Sequence, residues 1–198
     1  MFSGYLKAER VPDSDKDFPP QYKLSIPNRE VRSLYTSTFR EWLSASLREG
    51  HRGKLEVLLR ALLQGDARTL EKQLGAFVKN LLSFHDLDPD EPERIYQAFL
   101  LGLCAAVEPQ HRVRSNRESG KGRPDVLILP AKPGHPGIVL ELKVAGRKKT
   151  LDAALAEGLE QIRTKDYEAE LRAAGATPIH VFVCAFDGKD VRVAGGVD

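Results

Sequence analysis

The sequence has few of the features that mark secreted or membrane proteins. Only two of its 198 residues are cysteines, Cys104 and Cys184, and both lie in apolar segments. We therefore expect two buried, reduced thiols and no disulfide framework. No apolar run approaches the ~20 residues that a membrane-spanning helix needs, and no secretory signal is visible at the start of the sequence. These absences lead us to expect a cytoplasmic protein that does not contact a membrane.

The motifs of several common active sites are also missing. The five histidines show no zinc-ligand spacing, and no serine or cysteine lies in a recognisable nucleophile motif. Asp86, Asp88 and Asp90 resemble the start of an EF-hand loop, but Glu91 and Gln97 stand where such a loop requires glycine and glutamate. The phosphate-binding motif G-x-x-x-x-G-K-[ST] does not occur. The sequence therefore gives no indication of a zinc site, a serine or cysteine nucleophile, an EF-hand calcium site or a nucleotide-binding phosphate loop.

Charge is balanced over the chain but not along it. The 30 basic and 28 acidic residues give a net charge of +2. Between positions 112 and 149, however, basic residues greatly outnumber acidic ones, which suits a phosphate-rich partner. Alternatively, these side chains decorate solvated strand edges and discourage edge pairing. The basic residues of this segment are Arg112, Arg114, Arg117, Lys121, Arg123, Lys132, Lys143, Arg147, Lys148 and Lys149.

The first half of the chain is predicted to be mainly helical. Two short strands, GYLKAER and YKLSIP, come first. Apolar spacing then predicts a helix capped by Asn28 and running to about Leu47, a second over 54–63, a third after Asp66 and a fourth over about 92–107. Their leucine-rich stripes are typical of a core. A dimer formed through these helices remains an alternative.

The second half predicts an α/β fold. QHRVRSNRES, RPDVLILP and GIVLELKVA have the composition of strands. A helix over about 150–165, a short helical piece (DYEAELRAAG), a strand (PIHVFVCAF), a turn at Asp187-Gly188 and a last strand (KDVRVA) follow. The C-terminal half therefore reads α-β-β-β-α-β-β, behind an N-terminal helical region.

Three polar residues in two neighbouring strands form the candidate site. Asp125 lies in one predicted strand, and Glu141 and Lys143 lie in the next. If the loop closes around positions 131 to 136, the strands are antiparallel neighbours and Asp125 comes near the other two. Glu141 and Lys143, two positions apart, point to the same face. The pattern predicts two carboxylates and one ammonium in one cleft.

This combination suits metal-dependent phosphodiester hydrolysis. Two carboxylates can hold Mg²⁺ or Mn²⁺ through oxygen ligands, and the bound ion activates water and offsets developing negative charge. A neighbouring lysine can stabilise the transition state. E-x-K alone is common as a solvated pair in unrelated sheets. The preceding P-D and the flanking helices make the pattern more specific.

These residues also carry a family resemblance. SNRESGKGRPDVLILP, GIVLELKV, LAEGLEQIRTKDY, EPERIYQAFLLGL and YKLSIPNREVRSLY resemble the PD-(D/E)XK nuclease-superfamily domain found at the C-terminal end of bacterial AAA-ATPase-like proteins. The resemblance spans nearly the whole chain, most clearly 90–195. It implies an α-β-β-β-α-β core with a mixed sheet. The ATPase module is absent, so the chain is either a natural short homologue or a fragment.

The resemblance implies a site of five residues. Two of them are predicted metal ligands of the signature itself, and a third acidic residue on the preceding helix would add a ligand. Gln97 stands where the family leads us to expect histidine, so no histidine role is implied there. The five are Asp125, Glu141, Lys143, Glu93 and Gln161, of which Asp125, Glu141 and Glu93 would bind the metal.

A second set of residues is expected to contact phosphate or to brace the site. It comprises Arg117, Lys121, Arg123, Lys165 and Tyr167.

The implied organisation is a strand pair left from an ATPase-linked segment (1–27), a helical region (28–89) and the nuclease-like domain (90–198). The expected function is a Mg²⁺- or Mn²⁺-dependent nuclease acting on DNA, with RNA as the second choice. The alternative is a non-catalytic module that binds nucleic acid or docks a partner such as an ATPase.

Overall fold

The computed structural model describes residues 7–10, 22–25, 28, 30–31, 52–81, 92–115, 124–146 and 149–197. The chain divides into two compact units, Met1–Ala45 and Ser46–Asp198. The predicted division at residues 28 and 90 stays a prediction.

The first unit contains a small hairpin. Strands β1 (Lys7–Arg10) and β2 (Tyr22–Ser25) pair antiparallel, as the sequence predicts. Further on, the Asn28 side-chain oxygen accepts a hydrogen bond from the backbone N–H of Val31 at 2.9 Å, which is the predicted N-cap contact. The rest of the predicted helix, to Leu47, lies outside the described residues.

The second unit begins with two helices joined by a tight turn. Helix α1 covers Arg52–Gln64 and α2 covers Ala67–Leu81. Gly65, at φ +75°, ends α1 in the left-handed conformation that glycine adopts without strain. Asp66 caps α2 by accepting a hydrogen bond from the Thr69 N–H at 2.9 Å. Leucines of both helices are buried, as a core requires: Leu58, Leu62, Leu70 and Leu74.

A five-stranded mixed sheet follows, in the predicted element order. Helix α3 (Pro92–Cys104) continues as a 3₁₀ turn, Ala105–Val107. The strands are β3 (His111–Ser115), β4 (Val126–Pro130), β5 (Gly137–Val144), β6 (Ile179–Asp187) and β7 (Asp190–Val197); α4 (Leu151–Thr164) and α5 (Ala169–Ala173) lie between β5 and β6. Spatial order matches chain order, and only the β5–β6 pair is parallel. The predicted fold class is therefore confirmed.

Successive residues of each strand point to opposite faces of the sheet, and helices pack against both faces. On one face, an apolar cluster joins β4 and β5 to the α4–α5 segment through Leu127, Leu129, Val139, Tyr167 and Leu171. On the other face, the Tyr96 ring of α3 stacks on Phe186 with ring centroids 4.3 Å apart. His180, six residues before Phe186 and therefore on the same face, places its Nε2 3.1 Å from the Leu63 carbonyl of α1.

The buried thiols are as predicted. Cys104 and Cys184 are both buried and free, and burial raises the pKa of Cys104 to about 12. Among the residues with described structure, no helix combines the length and apolarity needed to cross a membrane.

Two local predictions are wrong by one residue. Asp125 does not lie in β4, which begins at Val126, because backbone pairing with β5 ends at that residue. The last hairpin turns at Gly188-Lys189 instead of Asp187-Gly188, since Asp187 still pairs with Asp190.

Helix α4 approaches the sheet closely at a glycine. A Cβ atom on Gly158 would overlap the Val183 side chain of β6 and lie 3.3 Å from Cγ of Lys143. Gly158 therefore lets α4 pack against the strand that carries Lys143. The next turn of the same helix carries Gln161.

Gly158→Ala is expected to destabilise the protein by about 1–3 kcal/mol, because the added methyl group overpacks the contact between α4 and the sheet. Gly75→Ala is the matched control. A Cβ on Gly75, within α2, would meet no atom within 4 Å, so this change should stabilise by about 0.5–1 kcal/mol. Urea unfolding measures both. Equal effects of the two substitutions would contradict the close approach of α4.

Candidate active site

Strand β5 presents Glu141 and Lys143 on the face that α4 covers. The Glu141 side chain is 2% exposed and that of Lys143 is 14% exposed. Lys143 Nζ donates a hydrogen bond to Glu141 Oε1 at 2.9 Å. The two residues therefore form a buried ion pair, in which each charge offsets part of the desolvation cost of the other.

Asp125 reaches this pair from the position just before β4. The loop between β4 and β5 spans residues 131–136, and Val126 pairs with Leu140, so Asp125 comes next, opposite Glu141. Its Oδ2 accepts a hydrogen bond from the Leu142 backbone N–H at 2.8 Å. The carboxylate thus bonds β5 just beyond the last β4–β5 backbone pair. The structure brings Asp125, Glu141 and Lys143 together; their catalytic roles stay predictions.

Gln161 and Tyr167 extend the hydrogen-bond chain. Lys143 Nζ also donates to Gln161 Oε1 at 2.7 Å, and Gln161 Nε2 donates to the Tyr167 hydroxyl oxygen at 2.8 Å. An ammonium group has donors and no acceptor, so the amide must turn its oxygen toward Lys143 and its nitrogen toward Tyr167. Tyr167 is buried in the apolar cluster between α5 and the sheet. Tyr167 was predicted either to contact phosphate or to brace the site. Its burial is more compatible with bracing the site.

Burial dominates the electrostatics of the two carboxylates. Desolvation raises the pKa of Glu141 to about 7; the hydrogen bond from Lys143 opposes this rise, and the charge of Asp125 adds to it. Desolvation also raises the pKa of Asp125, against the hydrogen bond from the Leu142 N–H. Both groups would therefore be stabilised in their charged form by an additional cation.

Glu93 lies close enough to influence both carboxylates. It sits exposed in the first turn of α3, and its negative charge contributes to the raised pKa values of Asp125 and Glu141. Among the described residues, however, no three His, Cys, Asp or Glu side chains are grouped in a way that could hold a metal ion. Metal binding by Glu93 stays a prediction.

The predicted phosphate contacts are only partly within the described residues. Arg117, Lys121 and Arg123 lie outside them. Lys165 is exposed just after α4. Within the basic segment, Arg114 is paired with Glu170 of α5 and Lys149 with Glu157 of α4.

The contact between Gln97 and Asp125 was not predicted from the sequence. Gln97 Nε2 donates to the backbone carbonyl of Asp125 at 3.2 Å. Gln97 follows Glu93 by four positions, which places both side chains on one side of α3. That spacing was the available signal, although it could not show which atom Gln97 would meet.

The pair of carboxylates fits a divalent cation. Glu141 Oε2 is buried and accepts no hydrogen bond from any described residue, which leaves a desolvated oxygen without compensation. Carboxylate oxygens are the ligands that Mg²⁺ and Mn²⁺ prefer. Asp125, across the strand pair, supplies the second carboxylate.

Comparison with known protein families agrees with this fold. The family model of the PD-(D/E)XK nuclease superfamily matches residues 91–195. No curated protein matches the chain. The chain therefore belongs to the PD-(D/E)XK nuclease superfamily, whose members are generally nucleases. Its association with AAA-ATPase-like proteins stays a prediction.

Raising the pH should destabilise the metal-free protein through Glu141. The pKa of about 7 in the folded state lies above the ordinary glutamate pKa of 4.5. The folded state therefore holds an extra proton, whose stabilisation is complete below about 4.5 and lost as pH rises through about 7. Relative to Glu141→Gln, the wild type should lose up to about 3 kcal/mol of unfolding free energy across this window.

Urea unfolding in EDTA at several pH values measures this difference. Glu56→Gln, at an exposed glutamate of α1, controls for the loss of one carboxylate. A difference between wild type and Glu141→Gln that does not change with pH would contradict the raised pKa.

Tyr167→Phe tests the hydrogen-bond chain. The substitution keeps the ring in its apolar cluster but removes the acceptor of Gln161 Nε2, so the unfolding free energy should fall by about 1 kcal/mol. The side-chain amide resonances of Gln161 should also shift in an NMR spectrum. Unchanged resonances would show that the amide does not depend on Tyr167.

Proposed function

We propose that this protein is a Mg²⁺- or Mn²⁺-dependent nuclease that hydrolyses phosphodiester bonds of DNA. The observation that supports it most is the meeting of Asp125, Glu141 and Lys143, in which one buried oxygen of Glu141 has no hydrogen-bond partner among the described residues. Family membership supplies the reaction class.

In this proposal the two carboxylates hold the cation. Asp125 is oriented by the Leu142 N–H, and Glu141 is oriented by Lys143 through Oε1, which leaves Oε2 for the ion. The bound ion would lower the pKa of a coordinated water and offset the charge that develops on the phosphate. Because both carboxylates are desolvated before substrate arrives, their attraction for a cation is stronger than it would be in water.

Lys143 is the electrostatic partner of the reaction. Its ammonium has three N–H donors, and two of them are directed to Glu141 and Gln161. These two bonds fix the position of Nζ, so that the third donor can be directed at the attacking water or at a phosphate oxygen. A donor that is already oriented stabilises developing charge without reorganisation.

The basic segment supports a nucleic-acid substrate. Arg112 and Lys132 are exposed and can contribute to the attraction of a polyanion. We propose DNA as the substrate because of the resemblance of the motifs. RNA is the second choice, so both polymers are tested.

One observation favours the alternative of a non-catalytic module. Glu141 and Lys143 bond each other directly, so the pair neutralises much of its own charge without an ion. A protein that keeps this pair only for stability would retain the fold and lose the reaction. Measurements of metal binding separate the two functions.

Asp125→Asn and Lys143→Met are each expected to lower nuclease activity at least about a hundredfold, by removing a cation ligand and an oriented charge. Asp152→Asn, at an exposed aspartate in the first turn of α4, is the control and should retain activity. Single- and double-stranded DNA and RNA are tested with Mg²⁺ and with Mn²⁺. Calorimetry should show a divalent-ion signal that Glu141→Gln abolishes.

Absence of any activity sensitive to Asp125→Asn would refute the proposed reaction. Metal-independent, salt-sensitive binding of DNA would then favour the non-catalytic module.

A further inference from the structure

Asp125 lies where the sheet no longer fixes the backbone. The last β4–β5 backbone pair is Val126 with Leu140, and Asp125 precedes it. Glu141 is paired with Val183 of β6, whereas Asp125 belongs to none of the described strand pairs. Its carboxylate can stay in place only if other contacts fix the chain at this point.

Two described hydrogen bonds hold Asp125, one at each end of the residue. Its side-chain Oδ2 accepts from the Leu142 N–H at 2.8 Å. Its backbone carbonyl accepts from Gln97 Nε2 at 3.2 Å. The first bond links the carboxylate to β5, and the second links the backbone to α3.

Helix α3 is itself anchored beside Gln97. The hydroxyl of Tyr96, the preceding residue, donates to the Gly188 carbonyl at 2.7 Å. The Tyr96 ring stacks on Phe186 with an angle of 15° between the planes. Gln97 therefore donates from a helix that is fixed against β6 and the β6–β7 turn. A donor on a fixed helix can restrict the position of the carbonyl that it binds.

We propose that Gln97 is a positioning residue for Asp125: its amide fixes the backbone before β4 and thereby holds the Asp125 carboxylate against β5. This inference rests on the proposed function and extends it, since it assigns a supporting contact to one of the proposed metal ligands. Outer contacts of this kind commonly change metal affinity 10- to 100-fold.

Gln97→Met tests the proposal, because methionine has a similar length and volume but no N–H donor. Gln64→Met, at the exposed C-terminal end of α1, is the matched control. The first measurement needs no metal. The backbone amide of Leu142 reports directly on the Asp125 carboxylate, so its NMR resonance and hydrogen-exchange rate are followed in EDTA on the full chain.

We expect Gln97→Met to move the Leu142 resonance in the direction that Asp125→Ala moves it, and to speed exchange of this amide. Gln64→Met should leave both unchanged. In calorimetry, Gln97→Met should weaken Mn²⁺ binding about tenfold. Gln97→Asn, whose amide is one methylene too short to span the distance, should reproduce these effects, and it serves as the test if the methionine variant does not fold.

The proposal is overturned if the Leu142 resonance in the Gln97 variants matches that in Gln64→Met. It is also overturned if these variants lower only the melting temperature, because a purely structural role predicts that result. If the wild type binds neither Mg²⁺ nor Mn²⁺, the proposed nuclease function fails. The Leu142 resonance in metal-free protein then decides separately whether Gln97 positions Asp125.

Discussion

The pairing of β4 with β5 is the constraint on which the candidate site depends. Because Val126 pairs with Leu140, Asp125 comes opposite Glu141, and both side chains point to the face that α4 covers. A shift of this register by one residue would turn the β4 side chains to the other face of the sheet. The two acidic groups face each other in the observed register, and the hydrogen bonds from Leu142 and Gln97 hold Asp125 in this place.

Holding two carboxylates in a desolvated place has a cost, which appears as raised pKa values. The protein offsets part of it with the Leu142 N–H and the Lys143 ammonium. Gly158 contributes indirectly, because its missing side chain lets α4 come close enough for Gln161 to reach Lys143. The desolvation cost that these contacts do not offset falls on Glu141 Oε2, which has no hydrogen-bond partner among the described residues. A bound cation would offset this cost.

Local patterns in the sequence were enough to predict the order of helices and strands, and the loop over 131–136. Strand alternation also placed Glu141 beside Lys143, since that relation depends on a period of two. The contacts of Gln97 and Gln161 could not be derived in the same way. Each joins a helix to a distant strand, and a polar residue on a helix has many possible partners until the helix is docked. The boundary at Asp125 was missed for a related reason, because its carboxylate, not its backbone, bonds β5.

The loop over 131–136 lies at the end of the β4–β5 hairpin opposite Asp125. β4 is also held by five paired positions with β3, and β5 by eight with β6. The alignment of the two strands is therefore set by their outer neighbours as well as by the connection between them. Loops at such positions accept insertions at small entropic cost. An insertion in this loop would therefore alter the end of the sheet that is remote from Asp125, and would have to keep or replace the hydrogen bonds from the Gly134 N–H to the Gly175 carbonyl and from the Thr177 N–H to the His135 carbonyl.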